Sequence, residues 1–326
     1  MRRRNFIAGL GAIALPNVAR AQKSGLPVVG FFHSESLDAR RDYMAGFYQG
    51  LAETGFVEGS NVLIEYRWGE GHNDRLPSLA ADLVQRRVTV IATPGSTPAT
   101  LAAKAATQTI PIVFAVGSDP VGIGLVQSFN RPGGNLTGVS LVNFDVVGKR
   151  LELVHELAPN AALVAFLVNP ANPVYAESNA QEAQQAARRL GMRLLVLGAS
   201  NRGEIDAAFE TMTREGVQGL VVSGDAFYSS RREQFAALAT RHAMPTNYQY
   251  REFVKAGGLM SYGTSAYEGY RVVGSYVGRI LKGEHPADLP LQQGTRIELA
   301  INMNAAKAIN ITFPLTILGR ADEVIE

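Results

Sequence analysis

Cysteine is absent from the 326-residue sequence. Without a thiol the chain forms no disulfide, no thiolate metal site and no cysteine nucleophile, and no lipid-modified cysteine tethers it to a membrane. A basic surplus is also lacking. The formal charge is +2, and removing Arg2, Arg3, Arg4 and Arg20 with the N-terminal leader brings it to −2. No basic surface for nucleic acid or anionic lipid is therefore predicted.

Catalytic motifs are absent as well. The sequence has no G-x-S-x-G elbow, no GxxxxGK[ST] phosphate loop and no H-E-x-x-H pair. Its histidines are scattered, with no close pair for a metal ion: they are His33, His72, His155, His242 and His285. We therefore predict a protein that is not an enzyme and that needs no metal or cofactor. A hydrolase built from residues distant in sequence stays an alternative.

The first 21 residues have the pattern of a secretory signal peptide. A basic head precedes the apolar run Phe6 to Leu15, and Ala19-Arg20-Ala21 forms an A-x-A end, so cleavage is predicted after Ala21. The apolar run is too short to span a bilayer, which takes about 20 residues. Arg3-Arg4 resembles the twin-arginine export signal, although Ala8 stands where that pattern often has Lys, so the choice between the twin-arginine and Sec routes stays open. Export without an anchor predicts a periplasmic protein.

Beyond the leader, short β-branched runs alternate with helical stretches. The first series has strands at 28–32, 62–68, 88–93 and 111–117 with helices at 40–53, 76–85 and 96–107. After the turn-rich segment 130–135 the order restarts, with strands at 163–168, 193–198 and 219–224 and helices at 175–190, 203–214 and 230–242. Strands that are apolar on both faces are typical of parallel sheets covered by helices. The pattern predicts an α/β fold with two Rossmann-like lobes.

Several motifs resemble the ABC-transporter substrate-binding proteins of the tryptophan-binding-like family. They are the leader ending in ARAQ, SDPVGIGLVQSFNRPGGNLTGVS at 118–140, NP at 169–170 and REFVKAGGLMSYGTS at 251–265. The resemblance covers nearly the whole mature chain. It implies a type I periplasmic binding protein, whose two lobes are joined by three crossover strands and hold the ligand between them. Some members are associated with aromatic amino acids, and for many others the ligand is not known. The resemblance therefore implies the role of a binding protein more closely than it implies a particular ligand.

This architecture implies boundaries for the lobes. The crossovers are expected near 136–141, 257–262 and 289–296. The first lobe would comprise residues 26–138 plus 262–290, and the second 139–258 plus 295–326.

Ligands of open parallel sheets bind at the carboxyl ends of the strands, where loops and helix N-termini expose free N–H groups. The first strand, for example, is followed by His33, Ser34, Glu35 and Ser36. Residues at such strand ends or at the hinge are predicted to bind ligand: Ser34, Ser36, Gly95, Ser96, Thr97, Asp119, Asn169, Asn172, Tyr175, Asp225, Tyr248 and Tyr262.

Each predicted contact also has a structural interpretation. Gly95-Ser96-Thr97 suits a ligand carboxylate, but for Ser96 the role of helix N-cap is favoured over ligand contact, and the two roles can coexist. Asp225 suits a ligand ammonium group, or it caps the helix that follows. Asp119 precedes a proline, and its structural role is favoured. Tyr175, Tyr248 and Tyr262 suit stacking on a flat ligand, whereas the helical Tyr267, Tyr270 and Tyr276 are interpreted as packing residues.

The predicted function is that of a periplasmic solute-binding component of an ABC importer. It would capture a small amino-acid-like or aromatic carboxylate ligand by hinge closure and deliver it, as a monomer, to an ABC permease in the inner membrane. A periplasmic sensor that reports to a membrane receptor is an alternative. A sugar-responsive repressor would need a helix-turn-helix where the leader stands, and no nucleic-acid partner is predicted.

Overall fold

Short strands and amphipathic helices alternate along the part of the chain that the structure, a computed structural model, describes. That part comprises residues 25–141, 146–294 and 297–326. The predicted signal peptide and its cleavage site after Ala21 lie outside the described residues. No helix in the described ranges is both long and apolar enough to cross a bilayer.

The described strands group into two sheets. In chain order they are β1 (Val28–His33), β2 (Leu63–Trp68), β3 (Val90–Pro94), β4 (Ile112–Val116), β5 (Leu136–Ser140), β6 (Leu163–Val168), β7 (Arg193–Gly198), β8 (Leu220–Val222), β9 (Thr246–Tyr248), β10 (Met260–Thr264), β11 (Gln292–Gln293), β12 (Ile297–Asn302) and β13 (Glu323–Ile325). The first sheet has six strands in the order β11-β5-β4-β3-β1-β2, and the second has seven in the order β13-β12-β10-β9-β8-β6-β7.

Helices cover both faces of each sheet. They are α1 (Leu37–Glu53), α2 (Leu76–Gln85), α3 (Thr97–Ala106), α4 (Val147–Leu157), α5 (Pro173–Arg189), α6 (Arg202–Arg214), α7 (Ala226–Ser229), α8 (Arg232–Arg241), α9 (Arg251–Lys255), α10 (Ala266–Leu281), α11 (Met303–Ala308) and α12 (Leu315–Leu318). We call the six-stranded sheet with α1, α2, α3 and α10 the first lobe, and the seven-stranded sheet with the remaining helices the second lobe.

The alternating direction of side chains along each strand explains why helices cover both faces of each sheet. On β1, Val29 and Phe31 pack into the core beneath α1 and α10. Phe32 points the opposite way, into the core beneath α2 and α3. In the second lobe the neighbouring residues Phe166 and Leu167 likewise lie in two different hydrophobic cores, one on each face of the sheet. Because successive side chains of a strand leave on opposite faces, a wholly apolar strand needs a helical layer on each side.

The chain passes between the lobes three times, after β5, after β10 and after β11. All described pairs are parallel except β10 with β12. This exception follows from the path, because β10 leaves the second lobe toward the first and β12 re-enters it in the opposite direction. The predicted lobe boundaries stay a prediction. In the structure Val139 and Ser140 pair within the first sheet, whereas Tyr262 to Thr264 pair within the second.

Candidate ligand-binding site

One cavity lies between the carboxyl ends of the two sheets and takes its walls from both lobes. The space that the centre of a water molecule can reach in it is about 50 Å³. Because one water needs about 10–15 Å³ by this measure, the cavity fits a compact small molecule. Seven of the predicted residues line it: Ser34, Gly95, Thr97, Asn169, Asn172, Tyr175 and Asp225.

The wall from the first lobe is the turn that opens α3. Ser96 caps this helix by accepting a hydrogen bond from the amide of Ala99 at 3.3 Å, and its hydroxyl donates to Ser34 at 2.9 Å. Gly95 has a φ of 75°, and a Cβ there would lie 3.0 Å from the Tyr270 ring. Both facts require glycine. The turn thus presents hydroxyls and the positive end of the α3 dipole to the cavity.

The wall from the second lobe centres on the Asp225 carboxylate, which is 7% exposed. Its oxygens accept hydrogen bonds from the side-chain amides of Asn169 at 2.8 Å and Asn172 at 3.1 Å. They also accept from the Phe227 amide at 2.9 Å, so Asp225 is the N-cap of α7. A carboxylate offers about four lone-pair directions. These three donors therefore leave room for a ligand donor.

Aromatic side chains form much of the remaining lining, namely Tyr175, Phe227, Tyr250 and Tyr270. The hydroxyls of Tyr175 and Tyr270 are buried; that of Tyr175 has no hydrogen-bond partner among the described residues, whereas that of Tyr270 lies beside Arg40. Burial raises the pKa of both phenols, so each keeps its proton and can donate it. Buried polar groups without partners are rare in folded proteins. The Tyr175 hydroxyl is therefore available to a ligand.

Two charged residues outside the predicted ligand-binding set also line the cavity. Glu35 and Arg40 are 6% and 3% exposed. Burial raises the pKa of Glu35, and the nearby charge of Arg40 lowers it in part. The Arg40 guanidinium donates a hydrogen bond across the cleft to the carbonyl of Ala226. Glu35 follows the end of β1, and this position in the sequence could have identified it as a site residue. Arg40 lies within α1, where no sequence pattern indicates a site residue.

Five predicted residues lie outside the lining. Ser36 caps α1 by accepting from the Ala39 amide at 3.3 Å. Ser96 does not line the cavity itself, but its hydroxyl donates a hydrogen bond to Ser34, which does. Asp119 accepts from the Val121 amide at 2.9 Å, which is the structural role that its sequence context favoured.

The two remaining tyrosines of that group also lie outside the lining. Tyr248 stacks on Phe253 in the second-lobe core with ring centroids 4.6 Å apart. Tyr262 packs against the other core of that lobe. Conversely, Tyr270, which was interpreted as a packing residue, both packs in a core and lines the cavity.

The lobes touch each other at the rim of the cleft. Asn73 donates to the carbonyl of Ala171 at 3.1 Å. Arg232 and Asp42 form an ion pair at 3.4 Å. Together with the bond from Arg40, these contacts describe a closed cleft. Within the described ranges no group of three His, Cys, Asp or Glu side chains is placed to hold a metal ion.

Comparison with known proteins identifies relatives across almost the entire length. The family model described as ABC transporter substrate binding protein matches residues 28–325. A tyrosine-binding protein from Clostridioides difficile (strain R20291) is 27% identical over 268 residues, which span 82% of this chain and 76% of the relative.

Solved structures agree with this match. A conserved domain protein from Vibrio cholerae is 28% identical with a TM-score of 0.84, covering 92% of this chain and 100% of its own. An ABC domain from Streptococcus pneumoniae in complex with L-Trp is 25% identical with the same TM-score and coverage. Type I periplasmic binding proteins are further neighbours at lower identity, and they show the fold alone.

Proposed function

The chain belongs to the ABC transporter substrate-binding protein family, and from this premise we propose that its ligand is a free amino acid with an aromatic side chain. The observation that carries the proposal is the chemistry of the cavity. A helix N-terminus with hydroxyls lies in one wall, a buried carboxylate in the other, and aromatic rings between them. Relatives named for tyrosine binding or solved with L-Trp support the same ligand class.

Each wall suits one end of such a ligand. The ligand carboxylate accepts hydrogen bonds from the turn of Ser34, Gly95 and Thr97, where the α3 dipole favours negative charge. The ligand ammonium group donates to Asp225, which Asn169 and Asn172 hold in place. The side chain of the ligand packs among the aromatic rings.

The biological role follows from the family. We propose that the protein is exported by the signal peptide, cleaved after Ala21, and retained in the periplasm as a monomer. There it binds its solute without chemical conversion, closes around it and presents it to an ABC permease in the inner membrane. The cross-cleft contacts of Arg40 and Arg232 support such closure, because they exist only when the lobes meet.

Calorimetric titration of the mature protein with L-tyrosine and L-tryptophan tests the ligand class. We expect Asp225→Asn to weaken binding about 100-fold or more, because it removes the charge that pairs with the ammonium group and keeps the side-chain shape. Asp119→Asn is the matched control: Asp119 also accepts a backbone amide after a strand but does not line the cavity. Affinity that is unchanged in Asp225→Asn would remove Asp225 from the site.

A further inference from the structure

The cavity contains two buried carboxylates, one from each lobe. Glu35 lies between β1 and α1 of the first lobe and is 6% exposed; Asp225 lies between β8 and α7 of the second and is 7% exposed. Glu and Asp are almost never this deeply buried unless they are paired. Asp225 accepts three hydrogen bonds from N–H donors. The groups around Glu35 are mainly charged side chains.

The charges around Glu35 do not neutralise it completely. Burial has the largest effect and raises its pKa, Arg40 on α1 lowers it by charge, and Asp225 raises it. The Ser230 hydroxyl and Arg231 before α8 lower it by smaller amounts. Neither arginine forms an ion pair with Glu35 among the described residues. His33 adds no charge, because burial lowers its pKa well below the usual value.

The charged lining of the described cavity is therefore unbalanced. It consists of two carboxylates, Glu35 and Asp225, and one guanidinium, Arg40, whose hydrogen bond goes to a carbonyl of the other lobe. Arg231 is exposed to solvent and lies outside the lining. A buried excess of one negative charge is costly unless a cation compensates it. Because the two carboxylates come from different lobes, closing an empty cleft brings like charges together.

We propose that Glu35 and Asp225 hold the protonated amino group of the ligand between them, one carboxylate from each lobe. This inference rests on the proposed function and adds Glu35 as a residue that determines the ligand specificity of the site. An ammonium group has three N–H donors and one positive charge, so it satisfies both carboxylates and balances the cavity. The site therefore selects free amino acids and rejects aromatic acids that lack an amino group.

The pairing gives the two ligand classes different pH dependences. An amino acid binds the charged form of Glu35, so its affinity does not improve on acidification. A deaminated analogue brings no cation, and closure around it requires a proton on Glu35 in place of the ammonium group. Its affinity rises as the pH falls. Arg40, Arg231, Asp225 and neutral His33 are the groups that face Glu35 in this range.

Calorimetric titration at pH 5.5, 6.5 and 7.5 tests the pairing. The ligands are L-tyrosine and L-tryptophan, with 3-(4-hydroxyphenyl)propionate and indole-3-propionate as deaminated analogues. At pH 7.5 we expect the wild-type protein to prefer the amino acids by about 1,000-fold, because a site built for a polar group rejects the analogue that lacks it. We expect the analogues to bind more tightly at pH 5.5 than at pH 7.5.

Glu35→Gln isolates the contribution of one carboxylate. We expect it to weaken amino-acid binding about 10- to 100-fold, to narrow the preference over the analogues by the same factor and to abolish their pH dependence. Glu177→Gln is the matched control, since Glu177 is an exposed carboxylate on α5 outside the cavity. Its affinities should equal those of the wild type.

The outcomes separate this pairing from the proposed function. Wild-type affinity and preference in Glu35→Gln would overturn the pairing alone. Failure of the wild-type protein to bind either amino acid would overturn the proposed ligand class, and the pairing with it. If Glu35→Gln does not fold, the wild-type comparison decides, because equal affinities for amino acids and deaminated analogues would overturn the pairing.

Discussion

At the scale of single residues, the cavity wall contains polar atoms that are buried before any ligand arrives. The Tyr175 hydroxyl is one of them, on a residue that is 3% exposed. A buried donor without an acceptor costs about 1–3 kcal/mol, and a bound ligand that accepts the bond removes that cost. Such residues lower the stability of the empty protein and raise its affinity for the ligand.

Tyr175→Phe tests whether this hydroxyl lowers the stability of the empty protein and raises its affinity for the ligand. We expect amino-acid affinity to fall about 5- to 10-fold, because one hydrogen bond to the ligand is lost, while the free energy of unfolding of the empty protein stays equal or rises. Calorimetry and urea denaturation measure the two effects. Tyr248→Phe is the control: it also removes a buried phenol hydroxyl, but one that lies in the second-lobe core and outside the cavity. Equal affinity in Tyr175→Phe and the wild type would contradict the assignment.

His33 predicts a pH dependence of stability. It is fully buried, and its pKa lies well below the ordinary 6.5 because burial disfavours the charged ring. The unfolded chain therefore binds a proton below pH 6.5 that the folded chain does not, so stability falls on acidification. From pH 6.5 to pH 5 the loss is at most about 1.6 kcal/mol, the value for a ring that stays neutral in the folded protein over this range. The raised pKa of Glu35 acts with the opposite sign, since the folded state then holds its proton to higher pH.

Urea denaturation at pH 5, 6 and 6.5 for the wild type and His33→Gln separates the two groups. The variant keeps the contribution of Glu35 and lacks that of His33. We expect the wild-type curve to fall more steeply toward pH 5 by the stated amount. Parallel curves would show that His33 is protonated in the folded protein.

Position along a strand explains which of the predicted residues line the cavity, and their contact with ligand stays a prediction. Ser34, Thr97, Asn172 and Asp225 line the cavity because each follows a strand whose carboxyl end faces the cleft. Arg40 could not be identified, because it reaches the site from inside a helix and its partner, a backbone carbonyl, belongs to the other lobe. Sequence patterns contain no information about that approach.

At the scale of elements, glycines of α1 and α10 allow a close contact between these two helices of the first lobe. A Cβ at Gly274 would lie 2.1 Å from the carbonyl oxygen of Phe47, and one at Gly50 would lie 1.9 Å from that of Arg271. Such distances are impossible, so the backbones approach each other only because both positions lack a side chain.

Gly274→Ala should therefore destabilise the protein despite the better helix propensity of alanine. We expect a loss of about 1–3 kcal/mol, because the helices must separate and the core beneath them loosens. Gly203→Ala is the matched control. Gly203 lies in the first turn of α6, where a Cβ would meet its nearest neighbour at 3.6 Å, and the change should be neutral or stabilising. Urea denaturation measures both; equal stabilities would refute the close packing.

The periodicity predicted most elements to within a few residues. The helix predicted at 76–85 matches α2, and the strand predicted at 163–168 matches β6. The antiparallel pairing of β12 with β10 was not predicted. Strand direction depends on the path of the chain between the lobes, and the pattern of apolar residues is the same for either direction. The glycine contacts between α1 and α10 were also missed, since those helices are far apart in sequence.

At the scale of the whole molecule, the account depends on closure of two lobes around one small ligand. The buried carboxylates of Glu35 and Asp225 oppose closure of the empty cleft, and the rim contacts of Asn73 and Arg232 favour it. A ligand with an ammonium group shifts this balance by binding the closed form more tightly than the open form. The ligand-free protein should therefore be more open in solution than the closed structure.

Small-angle X-ray scattering of the mature protein, alone and with saturating L-tyrosine or L-tryptophan, tests that claim most directly. We predict a smaller radius of gyration with ligand and a ligand-bound profile that matches the closed structure, with no change in Asp225→Asn at the same ligand concentration. Superimposable profiles of the wild-type protein with and without a ligand that calorimetry shows to be bound would contradict the account.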